Sequence, residues 1–444
     1  MTVNLTIDNQ PVTVPKGMTI LNAARSIGIK IPTLCHMEGV VSPGSCRVCL
    51  VEVEGARTLL PSCIAQVGEG MIVHVNSKTA RTARRTSVEL ILANHPLDCN
   101  NCSRNNNCEL QTIASDMGIT ASRFPRLVQE HPLDLSTSGL TRDMSKCILC
   151  RRCVTACQNV QQVGVLAAQK RGFATIIGGG AKANLAETTC VQCGQCAAVC
   201  PVGAITEKDA IADVWAALDD PKKHVVVHTA PAIRAALGEC FGMPAGSRVT
   251  GKMVTALRRL GFDKVFDTNF AADLTIMEEG FELIKRLTDA VRDKKDVALP
   301  QFTSCCPGWI KYSEHFYPEL LPNLSSCKSP QQMFGALAKS FYAEKLGKRP
   351  EDIFVVSVMP CTAKKFEAQR PEMNASGVQD VDAVLTTREL ATMIKQGGVD
   401  FDKLTDEAMD SPFGLTASGA ADIFANTGGP ADRLRGGNRP GTAA

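Results

Sequence analysis

The chain has 444 residues, of which 44% are hydrophobic and 21% are charged, and its formal net charge is +3. This length allows roughly three domains, and charges of both signs are mixed along the chain, so composition gives no reason to expect a nucleic-acid partner. The N-terminal segment MTVNLTIDNQ lacks the basic and apolar regions of a signal peptide, and no apolar run approaches the ~20 residues of a membrane helix. We therefore expect a cytoplasmic protein without membrane insertion.

The cysteine content is the unusual feature of the composition. The chain has 20 cysteines, and 15 of them precede residue 201, mostly in C-x2-C groups. In a cytosolic chain such groups indicate metal ligands rather than disulfides. Whether a group binds zinc or an iron–sulfur cluster has to be judged from its spacing.

Residues 1–78 are predicted to form a small α+β domain. We expect a hairpin over residues 3–7 and 12–14, a helix over 20–27 and a closing strand over 71–75. The cysteines of this region are Cys35, Cys46, Cys49 and Cys63. Their spacing is close to the C-x4-C-x2-C…C pattern of plant-type 2Fe–2S ferredoxins, with a longer first gap. Zinc is the less favoured alternative, because the first cysteine lies too far from the C-x2-C pair for a usual zinc knuckle.

Residues 79–124 begin with a predicted helix over 79–94. After it comes an H-x3-C-x2-C-x5-C group formed by His95, Cys99, Cys102 and Cys108. One histidine and three cysteines can hold zinc, and they can also hold an iron–sulfur cluster. Spacing alone leaves both alternatives open.

Residues 138–209 carry the run C-x2-C-x2-C-x3-C twice, with a predicted hairpin over 172–175 and 178–180 between the two copies. This is the signature of two-cluster bacterial ferredoxins, in which the fourth cysteine of each run binds the other cluster. One 4Fe–4S cluster is thus expected on Cys147, Cys150, Cys153 and Cys200. The other is expected on Cys190, Cys193, Cys196 and Cys157.

From residue 224 the pattern changes to short apolar strands that alternate with helices. Strands are predicted at 224–228, 264–266, 297–302, 353–358 and 381–385. Helices are predicted at 231–237, 247–260, 269–292, 307–315, 329–346 and 387–396. This alternation indicates a parallel sheet with helices on its faces. Two cysteines, Cys306 and Cys361, would then follow the carboxyl ends of strands, where α/β folds place ligands.

Two cysteine-containing segments of this region carry a family resemblance. The first is FTSCCPGW at 302–309, whose adjacent cysteines are poorly placed to bond each other and, taken alone, would most simply be buried apolar residues. The second is MPCTAKKFE at 359–367. Together the two segments resemble the first two catalytic-cluster motifs of iron-only (FeFe) hydrogenases.

The N-terminal groups are similar to parts of the same family. The variant spacing that begins at Cys35 resembles the 2Fe–2S domain shared by these hydrogenases and the large iron–sulfur subunit of respiratory NADH dehydrogenase. The group that begins at His95 resembles their His-ligated 4Fe–4S domain, which favours iron over zinc.

The resemblance implies a multidomain α+β fold followed by an α/β catalytic domain. Its parts would be a 2Fe–2S ferredoxin-like domain at 1–78, a His/Cys3 4Fe–4S domain at 79–124, a two-cluster ferredoxin domain at 138–209 and a partial hydrogenase catalytic domain at 224–429. The implied cofactors are one 2Fe–2S cluster, three 4Fe–4S clusters and the catalytic H-cluster, a 4Fe–4S cluster joined to a two-iron site.

The resemblance also implies roles for residues around the catalytic cluster. Cys306 and Cys361 would bind it, and Cys305 would relay protons. The remaining members of the proton route would be Glu279, Glu282, Ser325 and Arg286; by spacing alone, the three on the predicted helix are most simply a solvated charged face. Lys364 would pair with a cyanide ligand. Contacts around the cluster would come from Pro231, Pro330, Gln331 and Met359.

The resemblance extends from residue 1 to about residue 429. The family continues into further α/β units and a third motif with two more cysteines, whereas this sequence has no cysteine after Cys361. Residues 430–444 are rich in Gly and Arg without periodicity, so we expect them to be disordered. The catalytic domain is thus expected to be incomplete at its C-terminus, and this polypeptide alone to lack part of the catalytic cluster's ligands.

The resemblance implies reversible H2 oxidation and proton reduction, with iron–sulfur clusters carrying electrons. The acceptor would be free ferredoxin, or NAD(P) reached through flavin-binding and small iron–sulfur partner subunits, because the chain has no dinucleotide-binding fingerprint. Two alternatives remain open. One is an electron-transfer subunit similar to that of NADH dehydrogenase, and the other is a non-catalytic hydrogenase-like protein.

Overall fold

The computed structural model describes residues 1–40, 42–180, 184–411 and 417–427. These residues form two compact units. The first unit contains Met1–Ser136, Thr141–Cys190 and Gln195–Thr206, and the second contains Thr137–Leu140, Val191–Gly194 and the chain from Glu207 onward. In the described ranges, every helix is too short or too polar to cross a membrane.

The first unit is built around a five-stranded sheet and several short helices. Its elements are β1 (Thr2–Ile7), β2 (Gln10–Pro15), α1 (Ile20–Ser26), β3 (Leu50–Val53), β4 (Leu60–Pro61), β5 (Ile72–His74), α2 (Lys78–Ala93), α3 (Glu109–Asp116), β6 (Leu140–Arg142), α4 (Arg152–Thr155), β7 (Ala167–Gln169), β8 (Ile176–Gly178), α5 (Gln195–Val199) and β9 (Ile205–Glu207). The sheet has the order β2-β1-β5-β3-β4. Alternate residues of β1 are buried, because successive side chains of a strand point to opposite faces.

The three strands predicted for the first domain lie in this sheet, whereas β3 and β4 were not predicted. β1 and β2 form the expected antiparallel hairpin, with Val3 opposite Val14. The side chain of Thr19 caps α1 by accepting a hydrogen bond from the N–H of Asn22, as is typical of a threonine at this position. The next helix, α2, begins one residue earlier than predicted, after a Ser77 cap.

The hairpin of the ferredoxin-like region is formed by other residues than predicted. β7 pairs with β8 in antiparallel register, with Ala168 opposite Ile177. Residues Gly172–Ala174, predicted as part of a strand, form a 3-10 turn instead. Gly172 has a φ of 60°, which is the left-handed conformation typical of turns rather than strands.

The second unit is an α/β unit. Its elements are α6 (Ile211–Leu218), β10 (His224–Thr229), α7 (Ile233–Ala236), α8 (Thr250–Arg259), β11 (Lys264–Asp267), α9 (Asn269–Leu287), α10 (Pro307–Phe316), α11 (Pro330–Leu337), α12 (Ala343–Lys345), β12 (Ile353–Val358), α13 (Ala363–Ala368), β13 (Ala383–Leu385), α14 (Thr387–Gln396) and α15 (Gly419–Thr427). The sheet is parallel with the order β11-β10-β12-β13. The central strands β10 and β12 are buried along most of their length, as predicted for a sheet covered on both faces.

One predicted strand, at residues 297–302, is wrong. Within that range only Phe302 makes a bridge, to Leu324, and the rest is irregular. Pro300 lacks the N–H that a sheet ladder requires, and the carbonyl of that proline accepts a hydrogen bond from the side chain of Asn323 instead. Cys306 therefore follows an irregular segment, whereas Cys361 does follow the end of β12 as expected. The predicted disordered tail at 430–444 lies outside the described residues.

Candidate metal centres and active site

The four N-terminal cysteines lie together in the first unit. Cys35, Cys49 and Cys63 are buried, with 1%, 1% and 4% exposure. Hydrogen bonds to Cys46 and Cys63 lower the pKa of the Cys35 thiol, while Cys35 raises the pKa of each of those partners. Four thiols in mutual contact in a water-poor site fit a 2Fe–2S cluster, because the metal takes thiolates.

The histidine group also has the character of a metal site. His95 is 8% exposed, and its Nε2 atom is buried without a hydrogen-bond partner among the described residues. Burial lowers the pKa of His95, so the ring is neutral and Nε2 can act as a ligand. Cys102 packs against Gly203, where an added Cβ atom would lie 2.9 Å from its sulfur.

Four ferredoxin-type cysteines line one small cavity in the first unit, and they are the set predicted from the crossing rule: Cys147, Cys150, Cys153 and Cys200. Burial raises the pKa of Cys147 to about 11 and that of Cys150 to about 12, and the neighbouring Cys200 acts in the same direction. The amide of Leu149 donates to the sulfur of Cys147 at 3.4 Å. The set fits a 4Fe–4S cluster.

The two cysteine runs share a backbone pattern. The residue before the second cysteine has a positive φ in both runs, 54° at Leu149 and 55° at Gln192. The residue after it does so as well, 63° at Arg151 and 75° at Gly194. Left-handed residues at these points turn amide groups inward to form a concave surface for an anion, so the sequence repeat is also a conformational repeat.

In the second unit, the two catalytic motifs meet at one cavity of about 170 Å³. Its lining includes eight of the residues predicted for the catalytic cluster, namely Pro231, Cys305, Cys306, Pro330, Gln331, Met359, Cys361 and Lys364. The cavity wall is mostly apolar, as is usual for a cofactor site. Three cysteines on a mostly apolar wall fit an iron–sulfur cofactor, with sulfur ligands on two chain segments.

The helices and strands next to these cysteines determine where they lie at the cavity. Cys306 is the N-cap of α10, which has Pro307 as its first residue, a position that suits proline. Cys361 lies between the end of β12 and the start of α13, and the amides of Ala363 and Lys364 act on its sulfur. Cys305 has a pKa raised to about 11 by burial, with Lys364 acting in the opposite direction.

Lys364 is held at the cavity by a buried carboxylate. Its ammonium donates to the carbonyl of Cys305 at 2.8 Å and to Glu367 at 2.9 Å. Burial alone would lower the pKa of Lys364, but Glu367 and the two adjacent cysteines raise it, so the side chain is charged. Glu367 also accepts hydrogen bonds from Ser329 and Gln331, at 2.9 and 3.0 Å.

The predicted proton-route residues lie in two separate hydrogen-bonded groups, one at Ser304 and one around Glu282. Glu279 accepts a hydrogen bond from the amide of Ser304 at 3.3 Å, one residue before Cys305. The hydroxyl of Ser325 donates to Glu282 at 2.6 Å, and Arg286 donates to the same carboxylate at 2.6 Å. Glu279, Glu282 and Arg286 are therefore not a solvated face, since their side chains are largely buried or paired.

The two glutamates have opposite pKa shifts. Burial raises the pKa of Glu279, and the nearby Glu282 adds to this effect. Burial alone would also raise the pKa of Glu282, but hydrogen bonds from Ser325 and Arg286 outweigh it and lower the pKa. Glu279 therefore binds a proton more strongly than Glu282 does, a difference suited to passing a proton between them.

Other residues at the site were not predicted. Glu367 stands in the MPCTAKKFE segment, three residues after Lys364, and this i,i+3 spacing could have indicated the pair. Phe424 on α15 lines the cavity and carried no sequence signal. Thr362 donates to the carbonyl of Gln192 at 2.7 Å, which fixes the loop Val191–Gly194 beside the Cys361 segment within the second unit.

These sites define an iron–sulfur oxidoreductase with a cysteine-lined catalytic cavity. Comparison with known protein families supports this class for each domain in turn. Residues 223–435 match "Iron only hydrogenase large subunit, C-terminal domain". Residues 1–78 match a 2Fe–2S iron–sulfur cluster binding domain, 84–123 the NADH-ubiquinone oxidoreductase-G iron–sulfur binding region, and 146–204 a 4Fe–4S dicluster domain.

Several curated relatives are hydrogenases. The chain is 51% identical over 430 residues to NADP-reducing hydrogenase subunit HndD of Solidesulfovibrio fructosivorans, covering 96% of this chain and 73% of the relative. It is 44% identical over 415 residues to iron hydrogenase 1 of Clostridium pasteurianum, covering 93% and 71%. It is 54% identical over 219 residues to the periplasmic [Fe] hydrogenase large subunit of Nitratidesulfovibrio vulgaris, covering 49% of this chain and 51% of that relative.

The chain belongs to the iron-only hydrogenase family. It has the N-terminal iron–sulfur domains and the large-subunit catalytic domain of that family, as predicted. Its enzyme class is accordingly that of oxidoreductases acting on H2, and its cofactors are iron–sulfur clusters of the 2Fe–2S and 4Fe–4S types.

Proposed function

We propose that this chain is the catalytic subunit of a hydrogenase that interconverts H2 with protons and electrons. The observation that carries the proposal is the convergence of Cys305, Cys306, Cys361 and Lys364 on one mostly apolar cavity. When bound there, the H-cluster supplies the chemistry of H2. The chain's own residues hold the cluster, give or accept protons beside it and exclude water.

Within this proposal, Cys306 and Cys361 are the sulfur ligands and Lys364 interacts with an anionic ligand of the cluster. The ammonium suits this role because Glu367 and the Cys305 carbonyl fix its position while burial strengthens its field. Gln331 is fixed in turn, since its side chain donates to Glu367 and accepts from Ser357 at 3.0 Å. Pro231, Pro330 and Met359 supply the cavity wall.

Protons are proposed to move between Cys305 and the surface through Glu279, Ser325, Glu282 and Arg286. The contact of Glu279 with the Ser304 amide supports its place next to Cys305. The Ser325–Glu282 hydrogen bond supports the next step, because a hydroxyl can accept one proton and donate another. Arg286 keeps Glu282 ionised and oriented toward Ser325.

Electrons are proposed to pass along the N-terminal iron–sulfur clusters. The proposed ligand sets give one 2Fe–2S and three 4Fe–4S clusters. The similarity to an NADP-reducing hydrogenase subunit supports flavin- and NAD(P)-binding partner subunits, together with a small iron–sulfur subunit, as the acceptor complex. Free ferredoxin is the alternative acceptor. A cytoplasmic location stays a prediction.

The proposal is tested on the chain extended by a segment that carries the family's third cysteine motif, by reconstituting it anaerobically, loading it with the two-iron cofactor and measuring H2-dependent reduction of a viologen. We expect turnover, and we expect Cys305→Ala to reduce it at least about a hundredfold while bound iron stays unchanged, because loss of a proton-transfer group costs that much. Cys306→Ala should lose about four irons per chain.

Cys240→Ala is the matched control, because Cys240 lies outside the cavity lining and its thiol is only partly buried. It should change neither turnover nor iron content. If the loaded protein carried electrons between dyes but never turned over H2, the chain would be an electron-transfer subunit. If Cys305→Ala and Cys306→Ala lost the same iron, the division of roles between the two cysteines would be wrong.

A further inference from the structure

A buried arginine lies beside the cysteines proposed for the 2Fe–2S cluster. Arg84, in the middle of α2, is 7% exposed. Its Nε donates to the carbonyl of Leu50 at 2.7 Å, and one of its terminal nitrogens donates to the carbonyl of Val75 at 2.8 Å. Leu50 directly follows Cys49, so the guanidinium is fixed against the segment that carries a cluster ligand.

This guanidinium has no matching carboxylate. Among the described residues, no Asp or Glu oxygen forms an ion pair with Arg84 within 4.0 Å. The neighbouring arginines of the same helix, Arg81 and Arg85, are closer to solvent. The carboxylate of Asp8, whose charge acts on Arg84, accepts hydrogen bonds from the amides of Val75 and Asn76. A charge taken out of water normally requires a compensating charge.

The cysteine group supplies the missing negative charge. Burial lowers the pKa of Arg84, and the Cys49 thiolate is the largest opposing influence on it. A 2Fe–2S cluster on four thiolates is an anion that gains one further negative charge when it is reduced. A fixed cation nearby therefore stabilises the reduced form more than the oxidised form, because the Coulomb attraction grows with the cluster's charge.

We propose that Arg84 is a positioning residue that raises the reduction potential of the 2Fe–2S cluster by holding a buried positive charge beside its Cys49 ligand. The inference rests on the cluster proposed above at Cys35, Cys46, Cys49 and Cys63. Arg84 acts through its charge and does not touch the metal. Its two hydrogen bonds to carbonyls serve to keep that charge in place.

The test is a redox titration of the reconstituted full chain, in which electron paramagnetic resonance follows the 2Fe–2S signal. We expect Arg84→Met to shift the equilibrium between reduced and oxidised cluster about tenfold toward the oxidised form, which for one electron is a fall of 59 mV. Arg84→Lys should retain most of the wild-type potential, since it keeps the charge. Arg81→Met, which removes an exposed arginine of the same helix, should leave the potential unchanged.

Arg84→Met also removes two hydrogen bonds, so a second neutral variant is needed. Arg84→Gln keeps a donor at this position and should lower the potential as Arg84→Met does, even if the methionine variant loses its cluster. Equal potentials in the wild type and the Gln variant would overturn the inference, as would an equal fall in the Lys and Gln variants, since the effect would then be structural. Absence of a 2Fe–2S signal in the wild-type chain would instead refute the cluster assignment itself.

Discussion

At the scale of single residues, burial decides what each carboxyl group of the candidate proton route contributes. Glu279 and Glu282 are one helical turn apart on α9, yet their pKa values are shifted in opposite directions. Glu279 is buried and accepts one amide hydrogen bond, whereas Glu282 has Arg286 and Ser325 as partners. The same side-chain type thus has two different affinities for a proton because its surroundings differ.

These shifts predict opposite effects on stability. The raised pKa of Glu279 means that its ionised form is unfavourable in the folded chain, so Glu279→Gln should gain stability relative to the wild type as pH rises through the folded pKa. The lowered pKa of Glu282 means that its stabilisation is present above the ordinary carboxyl pKa and is lost as pH falls through the folded value. Glu282→Gln should therefore cost about 1–3 kcal/mol near neutral pH and less in acid.

Thermal unfolding midpoints of the wild type and the two variants would check both expectations. The pH should run from below the folded pKa of Glu282 to above that of Glu279. Glu278→Gln, at an exposed position on the same helix, is the control and should follow the wild-type profile. Parallel profiles for the Glu279 and Glu282 variants would contradict the opposite shifts.

At the scale of elements, α11 lies so close to the backbone of Asp380 that the helix needs a glycine at the point of contact. A Cβ atom at Gly335 would lie 2.5 Å from the carbonyl oxygen of Asp380. This contact packs α11 against the segment that precedes β13, and the first turn of α11 contains Pro330 and Gln331 of the cavity wall. The close approach thus contributes to the position of the catalytic cavity.

Replacement of two helical glycines by alanine should therefore have opposite effects. Gly335→Ala should destabilise the chain by about 1–3 kcal/mol, because backbone atoms must move to admit the methyl group. Gly280→Ala on α9, where nothing lies within 4 Å of the added Cβ atom, should stabilise it by about 0.5–1 kcal/mol. Chemical denaturation of the two variants beside the wild type measures both values, and destabilisation by both would show that the free space at each Cβ position does not govern their stability.

At the scale of the whole molecule, the N-terminal groups predict how much metal the chain holds. Their proposed ligand sets correspond to one 2Fe–2S and three 4Fe–4S clusters, apart from the catalytic site. Nearly all of these ligands are buried or half-buried, as expected for thiolates that water must not displace. The His95 group is the one for which spacing alone left zinc open.

Cys102→Ala distinguishes iron from zinc at that group. We expect the reconstituted variant to lose about four irons per chain and no zinc, because the His95 group is similar to an iron–sulfur binding region. Metal analysis of the wild type, Cys102→Ala and the Cys240→Ala control would measure this. Loss of about one zinc with iron unchanged would show that the group is a zinc site.

The sequence by itself determined the features that depend on short spacing. The C-x2-C groups, the duplicated ferredoxin run, the alternation of β1 and the apolar runs of β10 and β12 are local patterns, because a cluster loop or a strand is specified by residues a few positions apart. For the same reason the ligand set of Cys147, Cys150, Cys153 and Cys200 could be predicted from the repeat before the cavity they line was known.

Only the tertiary structure decided which distant groups meet and how deeply they are buried. The predicted strand at 297–302 has suitable apolar residues, but ladder pairing depends on a neighbour, and the segment pairs only through Phe302 and Leu324. Glu367 at the catalytic lysine and Arg84 beside Cys49 are charged residues that a sequence places on the surface by default. Their importance comes from desolvation, and desolvation is a property of the packed chain as a whole.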